Sequence, residues 1–175
     1  MKGTVSSFFT YWSGDENTAF DPSLWNEIDV ELVPSVTAAP FATNIHYGGN
    51  GKHNKDPLKI QDFDPDHKYH NYWIEWTPEY ISWELNGVEI RRVTGQASSN
   101  YITRFANLHM DFWTPTFAGW GDGLDDSTMP WYTHYRWVQV YDYDLDTKKF
   151  KRRWRDDFHT LDTSRWNVAN GWSYD

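Results

Sequence analysis

The chain contains no cysteine among its 175 residues. That excludes a disulfide framework and any thiolate metal site. No apolar run approaches the ~20 residues needed to cross a bilayer as a helix, so no membrane partner is expected. Positive charge is scarce: 16 Lys and Arg stand against 25 Asp and Glu, a net charge of −9. Such a balance repels polyanions, and no nucleic-acid partner is expected. Long amphipathic helical patterns and internal repeats are also missing, which argues against helical bundles and solenoids.

Aromatic residues, by contrast, are abundant. They make up 19% of the chain, with 12 Trp and 11 Tyr, more than a core of this size needs. Indole and phenol faces stack on the C–H surface of pyranose rings while their polar edges stay wet, so the excess points to carbohydrate. Aromatic and β-branched residues concentrate in 4–12, 27–33, 41–47, 70–77, 80–85, 88–93, 104–113 and 131–144, separated by polar or Gly/Pro-containing stretches. This predicts an all-β fold, a sandwich or jelly roll in one domain spanning 1–175. Asn86-Gly87 between two of these runs predicts a two-residue hairpin turn. The one basic cluster, within 145–156, reads as a solvated connection between strands. His67 and His70 lack a third ligand at a convincing spacing, and Asp122, Asp125 and Asp126 lack the order of a calcium loop. No metal site is expected from either.

Residues 25–33 read Trp-Asn-Glu-Ile-Asp-Val-Glu-Leu-Val. Glu27, Asp29 and Glu31 alternate with Ile28, Val30 and Leu32, so on a strand the acids share one face and the aliphatics the other. Three like charges in a row repel, which a purely structural strand gains nothing from keeping. Cleavage of a glycosidic bond uses two carboxyl groups flanking the bond. An acidic strand facing solvent is the other reading of the bare pattern.

At Glu27-Ile-Asp-Val-Glu31 the chain resembles the lichenases, endo-1,3-1,4-β-glucanases of glycoside hydrolase family 16. The likeness extends through Gly3-Thr-Val-Ser-Ser-Phe-Phe-Thr-Tyr11, Trp25, Thr43-Asn-Ile-His-Tyr-Gly-Gly49 and Tyr69-His-Asn-Tyr-Trp-Ile-Glu-Trp-Thr-Pro78. It continues in Met110-Asp-Phe-Trp113, where Asp111 replaces an asparagine, and in Tyr135-Arg-Trp-Val-Gln-Val-Tyr141. The resemblance implies a concanavalin A-like β-jelly roll. It makes Glu27 the nucleophile, Glu31 the general acid/base and Asp29 the carboxylate that tunes the first. By position or by family match, Trp25, Asn44, Tyr47, Trp113 and Trp120 are candidates for sugar contacts. Relatives acting on 1,3-linked glucans commonly carry an extra residue before the last acid. Its absence here favours mixed-linkage glucan. A non-catalytic glucan-binding module, or a relative acting on laminarin or xyloglucan, is the alternative.

Two departures from the family matter. Arg136 stands where many relatives have an aspartate that helps hold a structural calcium, so calcium is doubtful and no cofactor is required. Residues 157–166 and 170–174 look like the family's N-terminal segment yet follow its closing strand, which implies a circularly permuted order joined through 145–156. In relatives some fifty further residues follow that segment. The expectation is therefore a fold incomplete in this chain, completed by a second polypeptide or a strand-exchanged copy. No signal-peptide pattern precedes the first strand, so secretion is implied by the resemblance alone.

Overall fold

The computed structural model describes residues 1–14, 21–48, 56–58, 60, 63–65, 67–94 and 104–169. The motif at 170–174 lies outside them. The chain falls into two compact units, Met1–Trp131 and Tyr132–Asp175, where the sequence predicts one domain.

In the first unit, β1 (Val5–Trp12), β2 (Asn26–Leu32), β3 (Phe41–Tyr47), the short β4 (Asp56–Leu58) and β8 (Asn107–Trp113) form one antiparallel sheet, in the order β4-β3-β2-β1-β8. A second antiparallel sheet holds β5 (Tyr72–Trp76), β6 (Tyr80–Leu85) and β7 (Val88–Thr94) in sequence order. Between β6 and β7 the expected turn is present, with Asn86 at φ 53° and Gly87 at φ 81°, the left-handed pair such a turn requires. Helical structure among the described residues is confined to two single 3-10 turns, Pro22–Leu24 and Asp126–Thr128.

One face of each sheet builds the core. Ile28, Val30, Phe41 and Ile45 from the first sheet meet Ile81 and Trp83 from the second, all buried. Two polar links cross the same interior. The Trp83 indole N–H donates to the Asp29 carbonyl at 2.8 Å. Buried Arg91 on β7 donates to the Thr43 carbonyl and hydroxyl at 3.0 and 2.7 Å, with its guanidinium over the Trp83 ring. The acid strand is thus fastened to the opposite sheet through its backbone as well as its apolar side chains.

In the second unit, β9 (Val138–Asp144) and β10 (Lys149–Asp156) form an antiparallel hairpin. This corrects the reading of 145–156 as a basic connection, because only its first residues form the turn. The basic residues enter a strand because β9 offers acids across from them: Lys149 opposes Asp144 and Lys151 opposes Asp142. Phe150 packs on Tyr143 with ring centroids 5.0 Å apart. Opposite charges and paired aromatics across strands each favour the ladder. Residues 131–137, expected to extend β9, lie outside it.

Candidate active site

The pairing of β2 runs unbroken from Asn26 to Leu32 on both sides, with no bulge within the acid motif. Residues directly opposite in an antiparallel ladder share a face, so the neighbours of the acids follow from the register. Glu27 lies between Tyr11 and His46, Asp29 between Phe9 and Asn44, and Glu31 between Ser7 and Ala42. β8 extends the same rows with Asn107, His109 and Asp111.

This face is less open than the sequence suggests. Asp29 is 3% exposed, and Glu27 and Glu31 are only partly accessible. Trp25, just after the 3-10 turn, donates its indole N–H to Glu27 Oε2 at 2.6 Å. The same indole stacks on the His46 ring, with centroids 4.3 Å apart and planes 9° apart. His46 Nε2 lies 3.4 Å from Asp29 Oδ2 and 2.7 Å from Asn44 Nδ2. Trp25 and His46 therefore wall the acid row at its Glu27 end, while His109 stacks on Phe9 at 5.0 Å further across the sheet.

Burial and mutual repulsion shape the charges. Burial, then the charge of Asp29, pushes the Glu27 carboxyl up to about 8, against the Trp25 hydrogen bond and His46, which pull it down. Glu31 is pushed to about 7 by burial and then by Glu27. Asp29 is raised well above the usual range, again by burial and then by Glu31. His46 is held below its ordinary value by burial, so its imidazole stays neutral at neutral pH. The three carboxyls titrate as a set. With a proton on Asp29 its repulsion of Glu27 disappears, and the Trp25 N–H then favours the ionised form of Glu27.

The proposed sugar-contact residues do not all gather here. Trp25 and Asn44 adjoin the acids. Trp113 occupies the same face on β8, opposite Val5 and beyond the Glu31 row. Trp120 is linked to it through Phe117, with ring centroids 6.2 and 5.6 Å apart. Tyr47 lies on the other face, opposite Asn26, and packs against the hydrophobic core. Sequence reasoning did not single out His46, Phe9, Tyr11 or His109 as site residues, and it marked Asp111 only as a replacement for a family asparagine. His67 and His70 instead hold the loop before β5, through Asp64 and Asn86. Asp125 caps the second 3-10 turn.

Residues 1–138 match the family described as Glycosyl hydrolases family 16, and the chain belongs to that family. A beta-glucanase of Fibrobacter succinogenes is 34% identical over 179 residues, covering 99% of this chain and 50% of the relative. A beta-glucanase of Bacillus subtilis is 30% identical over 137 residues, covering 78% of this chain and 52% of the relative. Among solved structures, a prokaryotic beta-1,3-1,4-glucanase (lichenase) from a mouse hindgut metagenome aligns with a TM-score of 0.53 at 26% identity. That alignment covers 70% of this chain and 54% of the other. The fold is the β-jelly-roll sandwich of this family, and the chain spans about half the length of the relatives it matches.

Proposed function

We propose that the acid face of β2 is the catalytic centre of a retaining endo-β-glucanase that cleaves mixed-linkage 1,3-1,4-β-glucan. The observation carrying this reading is the unbroken row of Glu27, Asp29 and Glu31 on one face of β2, with Asp29 buried and the two glutamates half-buried beside it. Glu27, oriented by the Trp25 N–H, attacks the anomeric carbon, while Glu31 gives its proton to the departing glycosidic oxygen. A covalent glycosyl–enzyme forms. Glu31, now ionised, takes a proton from water as that water attacks the anomeric carbon and frees Glu27. Glu31, raised to about 7, keeps a proton to give at mildly acidic and neutral pH. Glu27, raised to about 8, ionises as part of the coupled set. The reactive form is the one in which Asp29 and Glu31 hold protons while the Trp25 N–H favours the charge on Glu27.

The plain spacing of the motif supports mixed-linkage glucan, as do the beta-glucanase and lichenase names of the relatives. The Fibrobacter relative covers 99% of the chain and the Bacillus relative 78%, which supports a permuted order reaching into the second unit. A polymeric substrate of this kind is met outside the cell, so we place the protein there. β8 is a seven-residue edge of its sheet among the described residues. Such an edge is ready to pair, and a second polypeptide or strand-exchanged copy is the partner we propose for it. Reducing-end release from barley β-glucan, compared with laminarin and carboxymethyl cellulose, tests the substrate. Release from laminarin alone would overturn the linkage assignment, and release from none would favour a glucan-binding module.

A further inference from the structure

The acid face also gathers potential metal ligands. Glu27, Asp29 and His46 each offer one ligand atom, and the three atoms lie within 4.8 Å of one another. The His46 Nε2–Asp29 Oδ2 separation is 3.4 Å, which is long for a hydrogen bond. It equals the edge of a zinc tetrahedron, since bonds of roughly 2.0–2.2 Å place adjacent ligands about 3.3–3.5 Å apart. We propose that Glu27, Asp29 and His46 form a three-ligand site for a first-row transition-metal dication such as Zn²⁺, leaving one position open toward solvent or substrate.

The ligand chemistry selects the ion. Two carboxylates and an imidazole suit Zn²⁺ or Cu²⁺ better than Mg²⁺, which prefers octahedral oxygen and keeps its water. A dication would also relieve the repulsion among the acids. Two interactions oppose binding. The Trp25 N–H occupies Glu27 Oε2 at 2.6 Å, and the Asn44 amide nitrogen sits 2.7 Å from His46 Nε2. Both must yield, so the ion binds reversibly. Because it engages Glu27 directly, it blocks the nucleophile. This inhibition rests on the proposed hydrolysis; the binding does not.

The test is titration of the chelator-treated full chain with Zn²⁺ in competition with a chromogenic chelator, alongside Co²⁺ read by its visible absorption. One equivalent of Zn²⁺ should bind, and Co²⁺ should give the intense bands of a tetrahedral site. Mg²⁺ in excess should not compete. Asp29→Asn and His46→Phe should each weaken binding by about tenfold or more, by analogy with disturbed metal sites. Trp25→Phe removes the competing N–H and should tighten binding several-fold, a gain that misfolding cannot imitate. Absence of saturable binding would overturn the proposal, as would Zn²⁺ affinity unchanged in both His46→Phe and Trp25→Phe. Glucan hydrolysis, if present, should fall on adding Zn²⁺ and return on adding chelator. A protein that binds Zn²⁺ at these residues yet hydrolyses nothing would sink the functional reading and leave the site standing.

Discussion

Asp29 and Val30 are consecutive residues of β2, each 3% exposed, and they point to opposite faces of one sheet. Val30 is buried among Ile28, Phe41, Ile45, Ile81 and Trp83, where removal from water is itself the driving force. Asp29 is buried against Asn44, His46 and two other carboxyls, where removal from water is a cost met by protonation and hydrogen bonding. One face stabilises the strand, and the other draws on that stability to hold three acids at unfavourable proton affinities. Equal burial therefore says nothing about function until the chemistry of each face is read.

Glu27→Gln is the strongest way to break this contrast. Activity on mixed-linkage glucan should fall by about 10³-fold or more, in the range seen when a nucleophile is removed. The thermal midpoint should hold or rise, because a repulsive contact is lost. Retention of more than a few per cent of activity would remove Glu27 from its role. Ile28→Ala attacks the other face. It should destabilise by about 2–5 kcal/mol, the usual range for such a core truncation, measured as a lower urea midpoint. Any activity loss should follow the unfolded fraction.

Trp25→Phe keeps a ring against His46 but deletes the N–H bond to Glu27. A bond to a charged acceptor is worth about 1.5–3 kcal/mol, so turnover should drop by roughly 10- to 100-fold with KM changed much less. A change confined to KM would make Trp25 only a sugar platform.

The pH dependence of stability separates the faces without any substrate. Folding raises Glu27 from 4.5 to about 8 and Glu31 from 4.5 to about 7. The folded state therefore holds more protons than the unfolded one across that window. The share of stability due to these two groups is full below about pH 4.5 and is lost as pH rises through 7 to 8. Urea midpoints measured between those limits should decline with pH, and the slope should flatten in Glu27→Gln and Glu31→Gln. A midpoint rising with pH over this range would contradict the burial of the acids. Trp113→Ala gives the smallest effect. Lost stacking of about 0.5–1.5 kcal/mol corresponds to a two- to tenfold rise in KM. Failure to fold would make Trp113 a core residue instead.

The acid row was legible because alternation is a local property of a strand, and its flanks Ile28 and Val30 name the buried side. The same rule, applied to β3, would have located His46. Asn44 and Tyr47 are three residues apart and cannot share a strand face, so placing Asn44 beside Asp29 puts His46, not Tyr47, next to the acids. The basic run at 149–156 misled because charge suggests solvent, and only its pairing with Asp142 and Asp144 makes a strand of it. Asp111 stood out only as a departure from the family's asparagine and His109 not at all, since they reach the acid face only through the β1–β8 register.

By itself the sequence determined most strands of the first unit, which side of β2 carries the acids and which family the chain resembles, because period-two patterns and turn residues act over a few neighbours. Tertiary structure alone decided that Asp29 is sealed from water, that Trp25 and His46 stack beside it and that the acids gain protons. Those properties depend on which strands lie side by side, and strand order is set by contacts between residues far apart in the chain.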